Sequence, residues 1–555
     1  MRRGGIRANS ITPGHIDTDV FAGLTGGSEQ VAAMFRSQVA LGRIGDPAEV
    51  SEAVLFLLSR RSSYVAGQEP VVDGMLLGSV PLAPMPSSAP REEGRPTMGE
   101  KARRALVLGG SYGGLFAARV LSEQYDEVLI VDRDRLVGTT GPRRGRPQGR
   151  HINAMHVRGL QVAEELFPGF IQELVADGCP TGDYAGSVRW FFNGKPLRRE
   201  DIGYTAVPAT APLMERHVRE RVEQLPAVRF VERCDIVDLV ASADRSRITG
   251  ARVRHLEGDG GEEVIEADLV VDATGRGSRT PAMLTKFGYP RVPEDRIKID
   301  LGYVTQHYEL DDDPWAGDLA IIPVAYPDSP RGAIFTQTDH GKVELTVYGL
   351  LGDHPPTDQE GFYAFVKSLC VPDIHEALRS ARPIDEPVPF HYPVTLRRRY
   401  ERMSRFPAGL VITGDAITSF NPVYAQGMTV AALSALTLRR HLRRDSAPDP
   451  AAYFQDLASS VIDAAWEMTT TVDLGFPGVP GDRSMKVRFL QRFLSLVQAA
   501  ATRDPKVTTA YMRAAGMVDP PQALMRPATL LRVLVGALKR STGSQARQPA
   551  LTRPG

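Results

Sequence analysis

The segment Ala105-Leu-Val-Leu108 runs directly into Gly109-Gly-Ser-Tyr-Gly-Gly114 and then into Leu115-Phe-Ala-Ala-Arg-Val-Leu121. An apolar run, a glycine cluster and a second apolar stretch of helical period specify strand, tight turn and helix, the opening unit of a parallel α/β sheet. The first glycine permits the turn, a small second position lets a pyrophosphate approach the backbone, and the last glycine lets helix and strand pack closely. Free N–H groups at the helix start then favour phosphate. Ser111 stands where the full fingerprint has its second glycine. A second strand, Glu127 to Val131, ends at Asp132, 23 residues after Gly109. An acid at about that distance is where a ribose hydroxyl binds. An ordinary α/β turn with a surface aspartate would read the same way, so this unit alone leaves the nucleotide open.

Composition narrows the partners. The 555 residues carry 66 basic and 66 acidic side chains and are 42% hydrophobic, which provides a large core and no surplus of cations for nucleic acid. Cys179, Cys234 and Cys370 lie far apart without paired spacing, so neither a disulfide framework nor a zinc site is indicated, and a reducing cytoplasm is expected. No apolar run follows Arg2 and Arg3, and the run Ala53 to Leu58 is far short of the roughly 20 residues that cross a bilayer.

Pro81 to Pro96 is rich in proline, serine and charge and reads as a semi-extended linker, assigned to residues 81–102. Before it lie Gly5-Ile-Arg-Ala-Asn-Ser-Ile-Thr-Pro-Gly14, Leu41-Gly-Arg-Ile-Gly-Asp-Pro-Ala-Glu-Val50, Val65-Ala-Gly-Gln68 and Val71-Val-Asp-Gly74. In this order the motifs resemble the C-terminal part of a short-chain dehydrogenase/reductase. That family carries its nucleotide-binding glycines and its Tyr-x-x-x-Lys pair upstream of these motifs. Residues 1–80 are therefore expected to be a fragment without its own chemistry, one helix from Pro47 to Ser59 and a final strand. Met98 reads as a natural start for the larger C-terminal part of the chain, with the fragment joined to it by fusion or by an upstream start.

Two further segments bear on the nucleotide. Ala267-Asp-Leu-Val-Val-Asp-Ala-Thr-Gly-Arg-Gly-Ser-Arg279 is an apolar strand entering a glycine turn. Gly409-Leu-Val-Ile-Thr-Gly-Asp-Ala-Ile-Thr-Ser-Phe-Asn-Pro-Val-Tyr-Ala-Gln-Gly-Met428 is another strand and turn, followed by a helical stretch to Leu442. With these in the same order, Met98 to about Leu538 resembles an FAD-dependent monooxygenase of the para-hydroxybenzoate hydroxylase-like superfamily, of the squalene and polyether polyene epoxidase type.

The resemblance implies an α/β fold: a Rossmann-like FAD-binding domain interleaved with a mixed-sheet substrate domain, and a helical C-terminal region. The FAD-binding pieces are expected at 103–180, 265–285 and 400–442, the substrate pieces at 181–264 and 286–399, the helical region at 443–540 and a polar tail at 541–555. Cofactor contacts are implied for Gly109, Ser111, Gly113, Gly114, Asp132, Arg133, Thr274, Gly275, Gly414, Asp415, Pro422, Gly427 and Met428. Asp415 would bind the ribityl chain. The helix after Pro422 would point its N-terminus at the flavin pyrimidine, where N–H groups and the dipole favour developing negative charge.

Arg143-Arg-Gly-Arg-Pro-Gln-Gly-Arg-His151 matches a basic Pro-Gln loop of related sequences and adds Arg146, Gln148 and Arg150, with a solvated basic loop as the alternative. Where the superfamily often has Arg in a Ser-Arg-Pro-Leu-Leu-Glu-like segment, Thr210-Ala-Pro-Leu-Met-Glu215 has Ala211, so that contact is lost or supplied elsewhere. His151 and His156 lack ligand spacing and read as core or loop histidines, and no metal is expected. Ile299 to Tyr308, Ala320 to Tyr326 and Ala333 to Gly349 read as strands, the last turning at Asp339 to Lys342. Val343, Leu345 and Val347 face inward, toward core or substrate.

The chemistry implied is insertion of one oxygen atom through a flavin C4a-hydroperoxide, with NADPH or NADH as transient reductant, O2, and a hydrophobic substrate. No protein nucleophile is required. Alkene reduction of the geranylgeranyl reductase type and a silent flavin-binding module are the alternatives. A halogenase is disfavoured because Trp190, Trp315 and Trp466 are isolated and the Trp-x-Trp-x-Ile-Pro pattern is missing. Leu530 to Arg540 has an apolar stripe with basic flanks, suited to docking on its own domain or to weak peripheral membrane contact.

Overall fold

The computed structural model describes residues 102–544 except 153, 259, 311, 312 and 446, together with residues 11–13, 16–18, 36, 39, 41, 43–59, 62 and 71–72. The chain divides into two units, Met1–Glu100 and Lys101–Gly555. Most of the linker, Met98, the Val65 to Gln68 motif and the end of the polar tail lie outside the described residues.

In the first unit the expected helix spans Pro47–Leu58. Asp46 caps it by accepting from the Ala48 N–H while Glu49 reaches back to the Asp46 N–H, a reciprocal capping box. Thr12–Pro13 and Val71–Val72 form a two-residue parallel pair. Leu55, Phe56 and Leu58 stand exposed on the helix. Among the described residues, the sheet of this unit is two residues long per strand, whereas parallel sheets are ordinarily covered on both faces by such helices.

The second unit is built on two large sheets, with a three-stranded and a two-stranded sheet beside them. The elements that frame the site and the C-terminal helices are β1 (Arg104–Leu108), α1 (Tyr112–Leu121), β2 (Glu127–Val131), β3 (Val188–Phe192), α2 (Ala211–Glu223), β4 (Val228–Val231), β5 (Leu269–Asp272), β6 (Glu294–Glu309), β7 (Ala320–Pro323), β8 (Arg331–Gln337), β9 (Val343–Gly349), β10 (Val388–Arg398), β11 (Leu410–Ile412), α3 (Gln426–Arg444), α4 (Asp463–Asp473), α5 (Met485–Ala501) and α6 (Pro527–Ser544). Strands β11-β5-β1-β2-β4 form an all-parallel sheet. Its three central strands are apolar between their end residues, as burial on both faces requires, and α1, α2 and α3 contribute to the same hydrophobic core. The mixed sheet runs β10-β6-β9-β8-β7-β3, extended by short strands at each edge.

Two expected boundaries move. Residues 211–264 do not belong to the substrate piece at 181–264. Strand β4 pairs in parallel with β2, and α2 is the crossover that brings it there, because a parallel neighbour can be reached only by a long connection. Helix α6 runs to Ser544, into the expected tail from residue 541. On β9, Val343, Leu345 and Val347 pack in a core cluster with Phe335, Phe362 and Phe365. Their polar neighbours Glu344 and Thr346 are buried as well. Both faces of this strand are covered, and the polar face is the one turned to the cavity between the sheets. Among the described residues no helix is long and apolar enough to cross a membrane.

Candidate cofactor and substrate site

A cavity of about 1000 Å³ lies between the two sheets, reaching from the β1–α1 turn to the start of α3. At the turn, Gly109 sits at φ +102°, in the region open to glycine. A Cβ on Gly114 would stand 1.8 Å from the Gly109 carbonyl oxygen, so the helix can leave the strand this closely only without a side chain there. Gly109, Ser111 and Gly113 line the cavity, whereas Gly114 serves the packing beneath it. Ser111 occupies the N-cap of α1 and its hydroxyl reaches Glu215 instead of closing the helix end. The α1 N–H groups thus remain free for an anion.

Asp132 accepts hydrogen bonds from the N–H groups of Gly110 (2.7 Å) and Asp134 (2.8 Å) and faces the cavity. Burial raises its pKa above the usual carboxylate value. Arg133 lies at the rim, 3.7 Å from Asp235.

The basic loop is not a solvated one. Glu215 of α2, 2% exposed, receives Arg143 at 2.6 Å and Arg146 at 2.9 Å, and Arg143 also stands 3.2 Å from Asp134. The Arg146 guanidinium lies over the Tyr112 ring at 4.8 Å. Arg143, Arg146 and Gln148 line the cavity, but Arg150 ends the short Pro147–Arg150 turn and faces solvent, apart from the other candidates. Arg143, Tyr112 and Glu215 were not among the sequence candidates. The cations near Ala211 therefore come from the 143–146 loop.

On the far side of β1, the turn after β5 is fixed by Asp272. Its carboxylate accepts from the Thr274 hydroxyl at 2.6 Å and the Ser278 hydroxyl at 2.5 Å. Thr274, Gly275, Gly414 and Asp415 meet here on the cavity wall. Gly113 and Gly414 face each other at about van der Waals distance, 3.8 Å from an added Cβ. Asp415 is half-buried on the cavity wall, and burial pushes its pKa up to about 6 against the pull of Arg276 and Arg146. Pro422, Gly427 and Met428 complete the end of the cavity. Helix α3 starts after Ala425, which sits at φ +53°, and has no side-chain cap, so its first N–H groups are unclaimed. The preceding loop is held from behind. Asp473 of α4 accepts from Asn421 Nδ2 (2.9 Å) and from the Tyr424 hydroxyl (2.8 Å), with its pKa pushed up to about 7 by burial.

The mixed sheet supplies the opposite wall: Tyr303, Ile334, Thr346, Tyr348, Phe390 and Tyr392. Tyr303 and Phe390 stack at 5.1 Å. The hydroxyls of Thr346, Tyr348 and Tyr392 on this wall are paired with neighbouring groups. Thr305 and Thr346 hydroxyls bond at 2.6 Å, Tyr392 donates to the Ser419 carbonyl at 2.7 Å, and the Tyr348 hydroxyl accepts from the Ala325 N–H at 3.2 Å. His151 meets Thr305 at 2.9 Å and packs edge-on to Tyr303, and burial pushes its pKa down to about 4. His156 is buried between the Tyr184 hydroxyl and the Tyr424 carbonyl. Both are core histidines.

These residues fit an FAD. The glycine cradle at Gly109 to Gly114, the uncapped starts of α1 and α3, and the acids Asp132 and Asp415 are distributed along one cavity with an aromatic floor.

Known proteins agree with this division. Residues 1–75 match the family described as enoyl-(acyl carrier protein) reductase. The chain spans only 25% to 29% of the length of curated short-chain dehydrogenases and reductases that it matches. Protein Rv3254 of Mycobacterium tuberculosis is 34% identical over 393 residues, 68% of this chain and 82% of that protein. The flavin-dependent brominase Bmp2 superposes with a TM-score of 0.56 at 12% identity, covering 80% of this chain and 99% of that one. PqsL of Pseudomonas aeruginosa, ascribed to the FAD-dependent monooxygenases, gives a TM-score of 0.50 at 17% identity, covering 68% and 98%. At such identities the two structures speak for the fold. With Rv3254 as a relative over most of its length, the chain belongs to that protein's family; its second unit has the fold of FAD-dependent monooxygenases and halogenases, and a short-chain dehydrogenase/reductase-like segment lies ahead of it in the sequence.

Proposed function

We propose that the protein inserts one oxygen atom, by epoxidation or hydroxylation, into a hydrophobic polyene-like or polyketide-like small molecule, with NADPH or NADH as transient reductant and O2 as co-substrate. One observation carries the reading: the glycine turn and the aromatic wall belong to a single continuous cavity. FAD, when bound, supplies the redox chemistry, accepting electrons from the nicotinamide and delivering one oxygen atom of O2.

The chain's own residues bind, orient and exclude water. N–H groups of the β1–α1 turn take the pyrophosphate, Asp132 a ribose hydroxyl and Asp415 the ribityl chain. The start of α3 favours negative charge at the pyrimidine. Because the hydroxyls of Tyr392 and Thr346 are already paired, the floor offers rings and methyl groups to the substrate, which favours an apolar molecule and penalises unmatched polar groups.

The test is the visible spectrum of the purified protein, followed by NADPH oxidation and O2 uptake with a panel of polyenes and aromatics. A flavin band and a product carrying one added oxygen are expected. A colourless protein would remove the reading. A saturated product without oxygen gain would assign the alkene-reductase alternative, and a strict halide requirement would assign halogenation.

The proposal extends to where the substrate is met. Helices α5 and α6 contain no acidic residue, although the whole chain is charge-balanced. Val533 of α6 is buried in a cluster with Val497 and Ala500 of α5, whereas Met485, Phe489, Leu496, Leu531, Leu534 and Val535 are exposed. An apolar face beside Lys486, Arg488, Arg492 and Arg532 complements an anionic lipid surface. Flotation with phosphatidylserine vesicles but not with phosphatidylcholine vesicles is expected, and Phe489→Ser with Leu531→Ser should abolish it. Equal behaviour of the double variant would refute the lipid contact.

A further inference from the structure

We propose that Asp300, His354 and His391 form a binding site for a divalent transition-metal ion, zinc foremost, on the face of the mixed sheet turned away from the cavity. Side chains alternate across a strand, so with Tyr303 and Phe390 on the cavity wall, Gly302 and His391 belong to the other face. No local spacing in the sequence announces the trio, because the ligands come from β6, the loop after β9, and β10.

The three ligand atoms are already gathered. Asp300 Oδ1 lies 2.9 Å from His391 Nε2 and 3.3 Å from His354 Nε2, and the three atoms fall within 4.8 Å of one another. Ligand atoms around a tetrahedral zinc stand about 3.3 Å apart, given bonds of about 2.0–2.1 Å. The carboxylate–imidazole edges of 2.9 and 3.3 Å lie at or somewhat under that spacing, and the two imidazoles, within 4.8 Å of each other, would close toward it. Their rings are 5.0 Å apart and exposed, so the movement meets little resistance, and water can complete the coordination.

The backbone holds the trio in place. The β6–β10 register shifts between Lys298 and Leu301, and Asp300 sits in that irregularity at φ +44°, turned away from the ladder. The loop carrying His354 is fastened to the same bulge, since the N–H groups of Leu351 and Gly352 donate to the Ile299 and Asp300 carbonyls at 3.0 Å. Gly302 leaves room for His354, because a Cβ there would come within 2.6 Å of its ring. Two imidazoles and one carboxylate select zinc and its first-row neighbours over magnesium or calcium, which take oxygen ligands. A bound ion would tie the bulge, the loop and β10 together behind the Tyr303–Phe390 stack.

The experiment uses the untagged full chain, freed of metal by chelator and titrated with zinc chloride by calorimetry, with thermal melts in parallel. One ion per chain and a raised melting temperature are expected. His354→Ala and His391→Ala should each weaken binding about tenfold or more. His255→Ala, elsewhere on the surface, should leave binding unchanged. Wild-type protein that takes up no zinc, or His354→Ala and His391→Ala variants that bind as wild type does, would overturn the site. Both imidazoles are exposed, so their removal spares the core. Circular dichroism of the variants, matching wild type, keeps a loss of binding attributable to the ligands.

Discussion

The two walls of the cavity hold their shape by different means. On the cofactor side, backbone N–H groups, Asp132 and Asp415, and a buried cluster of Arg143, Arg146 and Glu215 present charge and unclaimed donors. On the mixed-sheet side, Tyr303, Tyr348, Phe390 and Tyr392 present rings, with the hydroxyls of Tyr348 and Tyr392 held by neighbouring backbone groups. The first wall is specific in its electrostatics, the second mainly in its shape. Changes on the first wall should therefore cost stability or cofactor, and changes on the second should cost substrate selection while the cofactor stays.

The largest effect is expected at Glu215. Glu215→Gln removes the anion shared by two buried guanidinium groups, although Arg143 keeps Asp134, and loss of one partner of a buried pair costs about 3–5 kcal/mol. Denaturant unfolding should show it, and a loss well under about 1 kcal/mol would mean that Arg143 and Arg146 find other partners. Next, Asp415→Ala should weaken FAD binding about tenfold or more, since a charge-assisted hydrogen bond contributes about 1.5–3 kcal/mol. Unchanged flavin occupancy in that variant would break the comparison at its first wall. Phe390→Leu removes the ring stacked on Tyr303. It should raise KM several-fold for the preferred substrate and leave the flavin spectrum unaltered; bleaching of the flavin would show that the walls are not separable.

The smallest effect tests a carboxyl on the ring-lined sheet. Burial pushes the Glu344 pKa up to about 8, so the fold holds this acid neutral at pH 7. An unfolded glutamate releases its proton near its ordinary value of about 4.3, so the stability gained from the neutral form is complete below that pH and is lost as pH rises toward about 8. Glu344→Gln, neutral throughout, should melt a few degrees above wild type near pH 8 and close to it near pH 5. A gap that does not widen with pH would place Glu344 in contact with a cation.

Legibility in the sequence fell off with distance along the chain. Gly109 to Gly114, Asp132, Thr274 to Gly275 and Gly414 to Asp415 are strand-end features written within a few residues of one another, and all line the cavity or pack directly beneath it. The loop at 143–150 was visible as basic, but its division was not. Arg143 and Arg146 turn inward because Glu215 waits in the fold 72 residues beyond Arg143, whereas Arg150 ends a turn facing solvent. The substrate boundary at 181–264 failed for the same reason. Strand β4 reads like any short apolar strand, and only its pairing with β2 assigns it to the parallel sheet.

By itself the sequence determined the flavoprotein class, the glycine turn between β1 and α1, and the change of character at the proline-rich segment. Each of these depends on local backbone geometry, which a few consecutive residues dictate through sterics and hydrogen bonding. The tertiary structure alone decided which cations enter the site, which face of β9 meets the cavity, and that Asp300, His354 and His391 stand together. Those outcomes depend on burial and on charge meeting charge across distant segments, and no short stretch of residues contains both partners.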